Sequence, residues 1–249
     1  LRGSSTASVF TTTQAQTGRA ERWQTGDADA CFGKAEELFK QGSYAAAARY
    51  YRKAAIIRPD YAPAHNGVCV SLYNVGQLEG AARACGRTLE LEPGSSVARR
   101  NMGRVLQGLG RLEAAVEQFR QAVSIKPDYD EAHYSLGEAY RELGRDADAA
   151  RAFRETIRLK PDDAMAHNNL GVTYYMLGRY PEAVTALERA LRLRPDLAEG
   201  HGNLGSAYLA LGKKEAALKQ YQMLKSLDPD LASALLKLIY RDRFVDARR

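Results

Sequence analysis

From residue 28 to 231, apolar residues recur every three to four positions, the period of a helix that buries one face. In residues 182–193 the stripe is Ala183, Leu187, Ala190, Leu191 and Leu193. The stripes break at regular intervals. Stepping by 34 aligns six ungapped blocks: 28–61, 62–95, 96–129, 130–163, 164–197 and 198–231. Three columns are identical in all six. The fifteenth is glycine, from Gly42 to Gly212; the twentieth is alanine, from Ala47 to Ala217; the thirty-second is proline, from Pro59 to Pro229. Each block therefore predicts two helices with a tight turn between them.

Each column has a physical task. Glycine permits the left-handed backbone that ends the first helix. Alanine allows two helices to approach closely. Proline stops the second helix and helps to start the next. Aspartate follows proline in five blocks, as Asp60, Asp128, Asp162, Asp196 and Asp230. Each is expected to cap the next helix or to favour its start by charge.

The pattern resembles the tetratricopeptide repeat family. The fifth block shows it best, with Leu170, Gly171, Tyr174, Gly178, Ala183, Leu187, Ala190 and Pro195 at signature positions. The resemblance covers 204 of 249 residues. Departures are local. Four blocks carry histidine at the fourth, usually aromatic, position, and the other two carry Cys31 and Arg99. The eighth-position glycine is Ala35 in the first block and Cys69 in the second. The resemblance implies an all-α, right-handed α-solenoid, a superhelix whose first helices line a concave face. Residues 1–27 form a flexible or partner-docked leader, and 232–249 a capping helix with a basic tail.

Composition refines this reading. With 45% hydrophobic and 27% charged residues the chain is ordinary for a soluble domain. No stretch reaches the ~20 apolar residues of a membrane span. A start at Leu1 reads as a processed form or a fragment. The compartment is expected to be cytoplasmic, or periplasmic if a signal was removed. Cys31, Cys69 and Cys85 show no metal-binding spacing and read as small buried hydrophobes, which favours a reducing compartment. Net charge is +6, but residues 232–249 hold five basic and two acidic groups, and the blocks hold 28 basic against 26 acidic. A balanced body speaks against a nucleic-acid groove.

Candidate chemistry is sparse. The four histidines, His65, His133, His167 and His201, occupy one column of the register. Successive repeats lie about 10 Å apart, too far for one ion with bonds of about 2 Å. They read as packing, with a polar edge on water or backbone. No nucleophile motif, phosphate loop or metal set appears, so neither catalysis nor a cofactor is expected.

The family resemblance assigns groove positions to the second, fifth, sixth, ninth, twelfth and thirteenth places of a block. These yield an asparagine series: Asn66, Asn101, Asn168, Asn169 and Asn203. Amides can grip a peptide backbone, or simply face water. The series is partly similar to the repeat arm of O-GlcNAc transferase. Arg100, Arg104 and Arg141 can hold a carboxylate, or pair internally with Glu131, Glu138 and Glu142. Tyr73, Tyr134 and Tyr175 offer flat apolar contact, or pack between helices. The carboxylate clamp of the chaperone-binding branch is not matched, because no block combines lysine and asparagine at its fifth and ninth positions.

The expected function is a protein-interaction scaffold that binds an extended peptide or helix. The alternatives are the recognition arm of a larger enzyme, such as a glycosyltransferase, and a bacterial envelope or pilus assembly factor. The leader, with Phe10 or Trp23 as anchor, is also a candidate for self-association.

Overall fold

A computed structural model describes residues 25–240. The leader up to residue 24, with Phe10 and Trp23, and the tail 241–249 lie outside the described residues. Within them the chain is all helix and turn. The elements are α1 (Thr25–Lys40), α2 (Tyr44–Ile57), α3 (Ala62–Asn74), α4 (Leu78–Leu91), α5 (Ser96–Gly108), α6 (Leu112–Ile125) and α7 (Asp130–Glu142). They continue with α8 (Asp146–Leu159), α9 (Ala164–Met176), α10 (Tyr180–Leu193), α11 (Ala198–Ala210), α12 (Lys214–Leu227) and α13 (Pro229–Ile239). Each helix packs on the next, and the hairpin pairs stack into a solenoid.

The three columns act as their chemistry requires. The six glycines have φ between +69° and +75° and close each hairpin. All six alanines of the twentieth column are 0% exposed, which is where the paired helices meet. Every second helix ends before its proline, on an extended thirty-first residue in three of the six repeats.

Capping departs from expectation. The N-cap of the next helix is the thirty-fourth residue, one beyond the post-proline aspartate. Proline and the following residue form the turn, so that aspartate precedes the cap. Only Ser95 and Asp163 accept a capping bond at this column. The terminal helix begins at Pro229, three residues before the expected 232, because Asp228 accepts from the amides of Asp230 and Leu231.

Between the two helices of a hairpin, a glycine faces a large side chain. A Cβ on Gly103 would lie 2.5 Å from the ring of Phe119, and one on Gly137 would lie 2.7 Å from Phe153. Both rings are 0% exposed. In the second repeat these two places hold Cys69 and Cys85, and the structure joins them as a disulfide, Cα–Cα 5.2 Å, between α3 and α4. The reading of these cysteines as unpaired hydrophobes is thereby corrected. They are 0% exposed, but they are also one helical hairpin apart, a proximity that linear spacing does not show. Cys31 is free and half-buried.

The histidines are structural. Nε2 of His65, His133, His167 and His201 each lies 2.9–3.0 Å from the carbonyl of the proline six residues earlier. That bond ties each first helix to the turn before it, and Arg99 does the same to Pro93 with its guanidinium.

Candidate binding face

The odd-numbered helices succeed one another along one face of the stack. Their fifth- and sixth-position side chains meet across neighbouring repeats. Asn101 on α5 donates to Asn66 on α3 at 2.9 Å. Farther along, Asn203 on α11 donates to Asn168 on α9 at 3.1 Å. Asn168 reaches Asn169 at 3.5 Å, and Asn169 donates to the hydroxyl of Tyr134 on α7 at 2.9 Å. Tyr134 in turn lies near the carboxylate of Glu138, and the amide donors run in one direction from α11 to the Tyr134 hydroxyl.

These bonds change what the amides can offer. Asn101, Asn168 and Asn169 are 4–7% exposed, and each is engaged across the stack, Asn101 with Asn66, Asn168 with Asn203 and Asn169 with Tyr134. Asn66 and Asn203 are half-buried and lie at the ends of the two runs. Burial pushes the Tyr134 hydroxyl up to about 12, so it stays protonated. Its ring meets Phe153 edge-on at 5.7 Å.

The arginines are differently placed. Among the described residues, Arg100, Arg104 and Arg141 form no ion pair. None of them makes a salt bridge to Glu131, Glu138 or Glu142, although Arg141 and Arg104 lie near enough to Glu138 to favour its charged form. Arg104 lies over the ring of Tyr73 at 4.5 Å. Arg100 donates to the Glu131 carbonyl at 3.3 Å and sits 5.8 Å from the ring of Tyr129. The Nε of Arg141 is buried without an acceptor. Tyr175 pairs with Tyr180 at 5.4 Å and stands apart from the arginines on α9. A cleft of about 430 Å³ opens beside this face, where Arg100, Glu131 and Tyr134 meet Lys160 and Met165.

Tetratricopeptide repeat profiles match residues 28–61, 103–144, 134–198 and 168–232. The chain belongs to the tetratricopeptide repeat family. Among solved structures it is similar to PilF of Pseudomonas aeruginosa, with TM-score 0.74, 18% identity, 89% of this chain covered and 98% of that one. It is also similar to a chain of the APC/C hetero-tetramer Cut9–Hcn1, with TM-score 0.72, 21% identity and 86% of this chain covered. This chain spans 42% of the length of that one. A third is YrrB, described as a tetratricopeptide repeat protein with an unusual peptide-binding site; its TM-score is 0.65 at 22% identity, covering 75% and 97% of the two chains. At these identities the likeness is one of fold. A comparison with curated proteins gives no match.

Two residues of the repeat face escaped the sequence reading. Tyr129, a buried thirty-fourth-position ring, supports Arg100; the tyrosines at that column in two blocks were the available signal. Glu138 is the second, which the sequence offers only as a partner for arginine. Burial raises its pKa, Glu142 adds to the rise, and Arg141, Tyr134 and Arg104 oppose it. A raised folded pKa contributes stability that is complete below the unfolded pKa and is lost as pH rises through the folded one. Glu138→Gln is therefore expected to raise the melting temperature at neutral pH and to leave it unchanged near pH ~4, close to the unfolded value. Thermal unfolding of both proteins at the two pH values checks this. An equal gain at both would show that ionisation is not the cause.

Among the described residues no helix is long and apolar enough to cross a membrane. Nor does any group of three or more His, Cys, Asp or Glu gather there as metal ligands.

Proposed function

We propose that the chain is a protein-interaction scaffold whose odd-numbered helices hold an extended peptide or partner helix bearing a carboxylate. The observation that carries this reading is the set Arg100, Arg104 and Arg141 on one face, without ion pairs among the described residues, with one buried Nε lacking an acceptor. A guanidinium without a salt bridge can take a carboxylate through two parallel N–H bonds. Tyr73 and Tyr134 flank the arginines and supply flat apolar surface. Within the asparagine series, Asn66 and Asn203 are the members placed to contact a peptide; the buried three hold neighbouring repeats in register.

A panel of short peptides ending in or carrying Asp and Glu tests the reading, by fluorescence anisotropy. Arg104→Ala combined with Arg141→Ala is expected to weaken the best binder at least tenfold, about 1.4 kcal/mol. Asn169→Ala should act mainly on stability. Unchanged affinity in the arginine variant would remove this face from the reading.

One observation favours the envelope-factor reading over a cytosolic adaptor. The Cys69–Cys85 disulfide is of a kind that persists in oxidising compartments. On this reading the chain works outside the reducing cytosol.

A further inference from the structure

The even-numbered helices form the opposite face of the stack, and three furrows there share one design. The largest, about 560 Å³, lies between α8 and α10. Its floor is apolar: Ile157, Leu170, Tyr174 and Ala186, beside the ring of His167. Its rims are Arg154 and Arg158 on α8 and Arg189 and Arg192 on α10, with Glu182 the one acidic lining residue. Furrows of about 420 and 390 Å³ repeat the arrangement between α2 and α4 and between α6 and α8. There the floors hold Val68 and Leu72, or Leu136 and Tyr140, and the rims hold Arg52 and Arg83, or Arg120 and Arg151, the latter joined by Asp148 and Glu155.

One position sets the floors of these furrows apart from the equivalent place in two other repeats. In all three it is alanine at the twenty-third place of the repeat: Ala84, Ala152 and Ala186. Between α4 and α6 the same place is Gln118, which accepts from Arg99 at 3.2 Å. Between α10 and α12 it is Gln220, 2.7 Å from Nδ1 of His201. A glutamine here lies along the furrow and bonds to the fourth-position side chain. Alanine leaves that floor uncovered.

We propose that these furrows dock an amphipathic helix of a partner protein, with apolar side chains one turn apart and aspartate or glutamate on its flanks. Apolar knobs at i, i+3 or i+4 and i+7 fit such a trough. Charge completes the match. Arg52, Arg83, Arg120, Arg154 and Arg192 are exposed and form no ion pair among the described residues, so each furrow has at least one arginine ready for an acidic flank. A nucleic-acid backbone would use the rims and leave the aliphatic and tyrosine floor idle. This site is independent of the opposite face and stands or falls separately from it.

The test uses a fluorescein-labelled, stapled helical peptide of about 15 residues, with leucines at that spacing and glutamates beside them. The full chain is expected to bind it, more weakly as salt rises. Ala186→Gln with Ala152→Gln closes two furrows in the protein's own manner and should weaken binding at least tenfold. Arg154→Ala with Arg192→Ala, both exposed and harmless to folding, should weaken it about threefold and flatten the salt dependence. Arg104→Ala, on the other face, should change nothing. The proposal is overturned if the full chain does not bind the peptide or if the glutamine pair leaves affinity unchanged. It is equally overturned if a peptide with serine for leucine, or a single-stranded oligonucleotide, binds as tightly.

Discussion

Phe153→Ala is expected to cost about 3–5 kcal/mol, the usual range for emptying a fully buried aromatic site. The ring is 0% exposed and fills the space left by the missing Cβ of Gly137. It also holds Tyr134 edge-on at 5.7 Å. Backbone on both sides is committed to helix, so collapse into the cavity is limited. A solenoid's stability is close to a sum over repeats and their interfaces. The defect should therefore split urea unfolding into more than one phase, with hydrogen-exchange protection lost first in α7 and α8. Arg154→Ala, on the exposed side of the same helix, should stay within about 0.5 kcal/mol of wild type. The consequence reaches the candidate face, since Tyr134 accepts the bond from Asn169. A loss of under 1 kcal/mol for Phe153→Ala would refute this account of the hairpin core.

Reducing the Cys69–Cys85 bond is expected to cost about 3 kcal/mol, from the chain entropy of closing a short loop. The separation is 16 residues. The effect should be confined to the second repeat and its neighbours. Cys69→Gly with Cys85→Phe restores the pair found in the third and fourth repeats. That variant should recover much of the stability and lose all sensitivity to dithiothreitol. Urea midpoints with and without reductant provide the measurement, and counting alkylated thiols in the unreduced, denatured protein checks the bond itself. Three alkylated cysteines, or identical midpoints, would show that the repeat is held by packing alone.

Much of this fold is written in single columns. Gly110 and Gly144 announce hairpin turns because left-handed backbone excludes most side chains. Ala115 and Ala149 announce close helix approach, and both are fully buried. Such features are local, or repeat often enough to average out noise. The candidate face was legible as a set of positions, since Asn66, Asn101, Asn168, Asn169 and Asn203 share one side of the stack. What those amides do was not legible. Their bonds join residues 35 apart, and their geometry depends on how one repeat is set against the next.

The sequence by itself determined the repeat length, the hairpin of each block, the buried alanine seam and the structural place of the histidines. Each follows from backbone sterics or side-chain volume at one recurring position. Tertiary structure alone decided three other matters. It joined Cys69 to Cys85 across a hairpin, left Arg100, Arg104 and Arg141 without a salt bridge among the described residues, and formed outer furrows over Ala84, Ala152 and Ala186. All three depend on distances between helices. A linear register fixes which residues face the same way, whereas the packing of successive repeats sets how closely they meet.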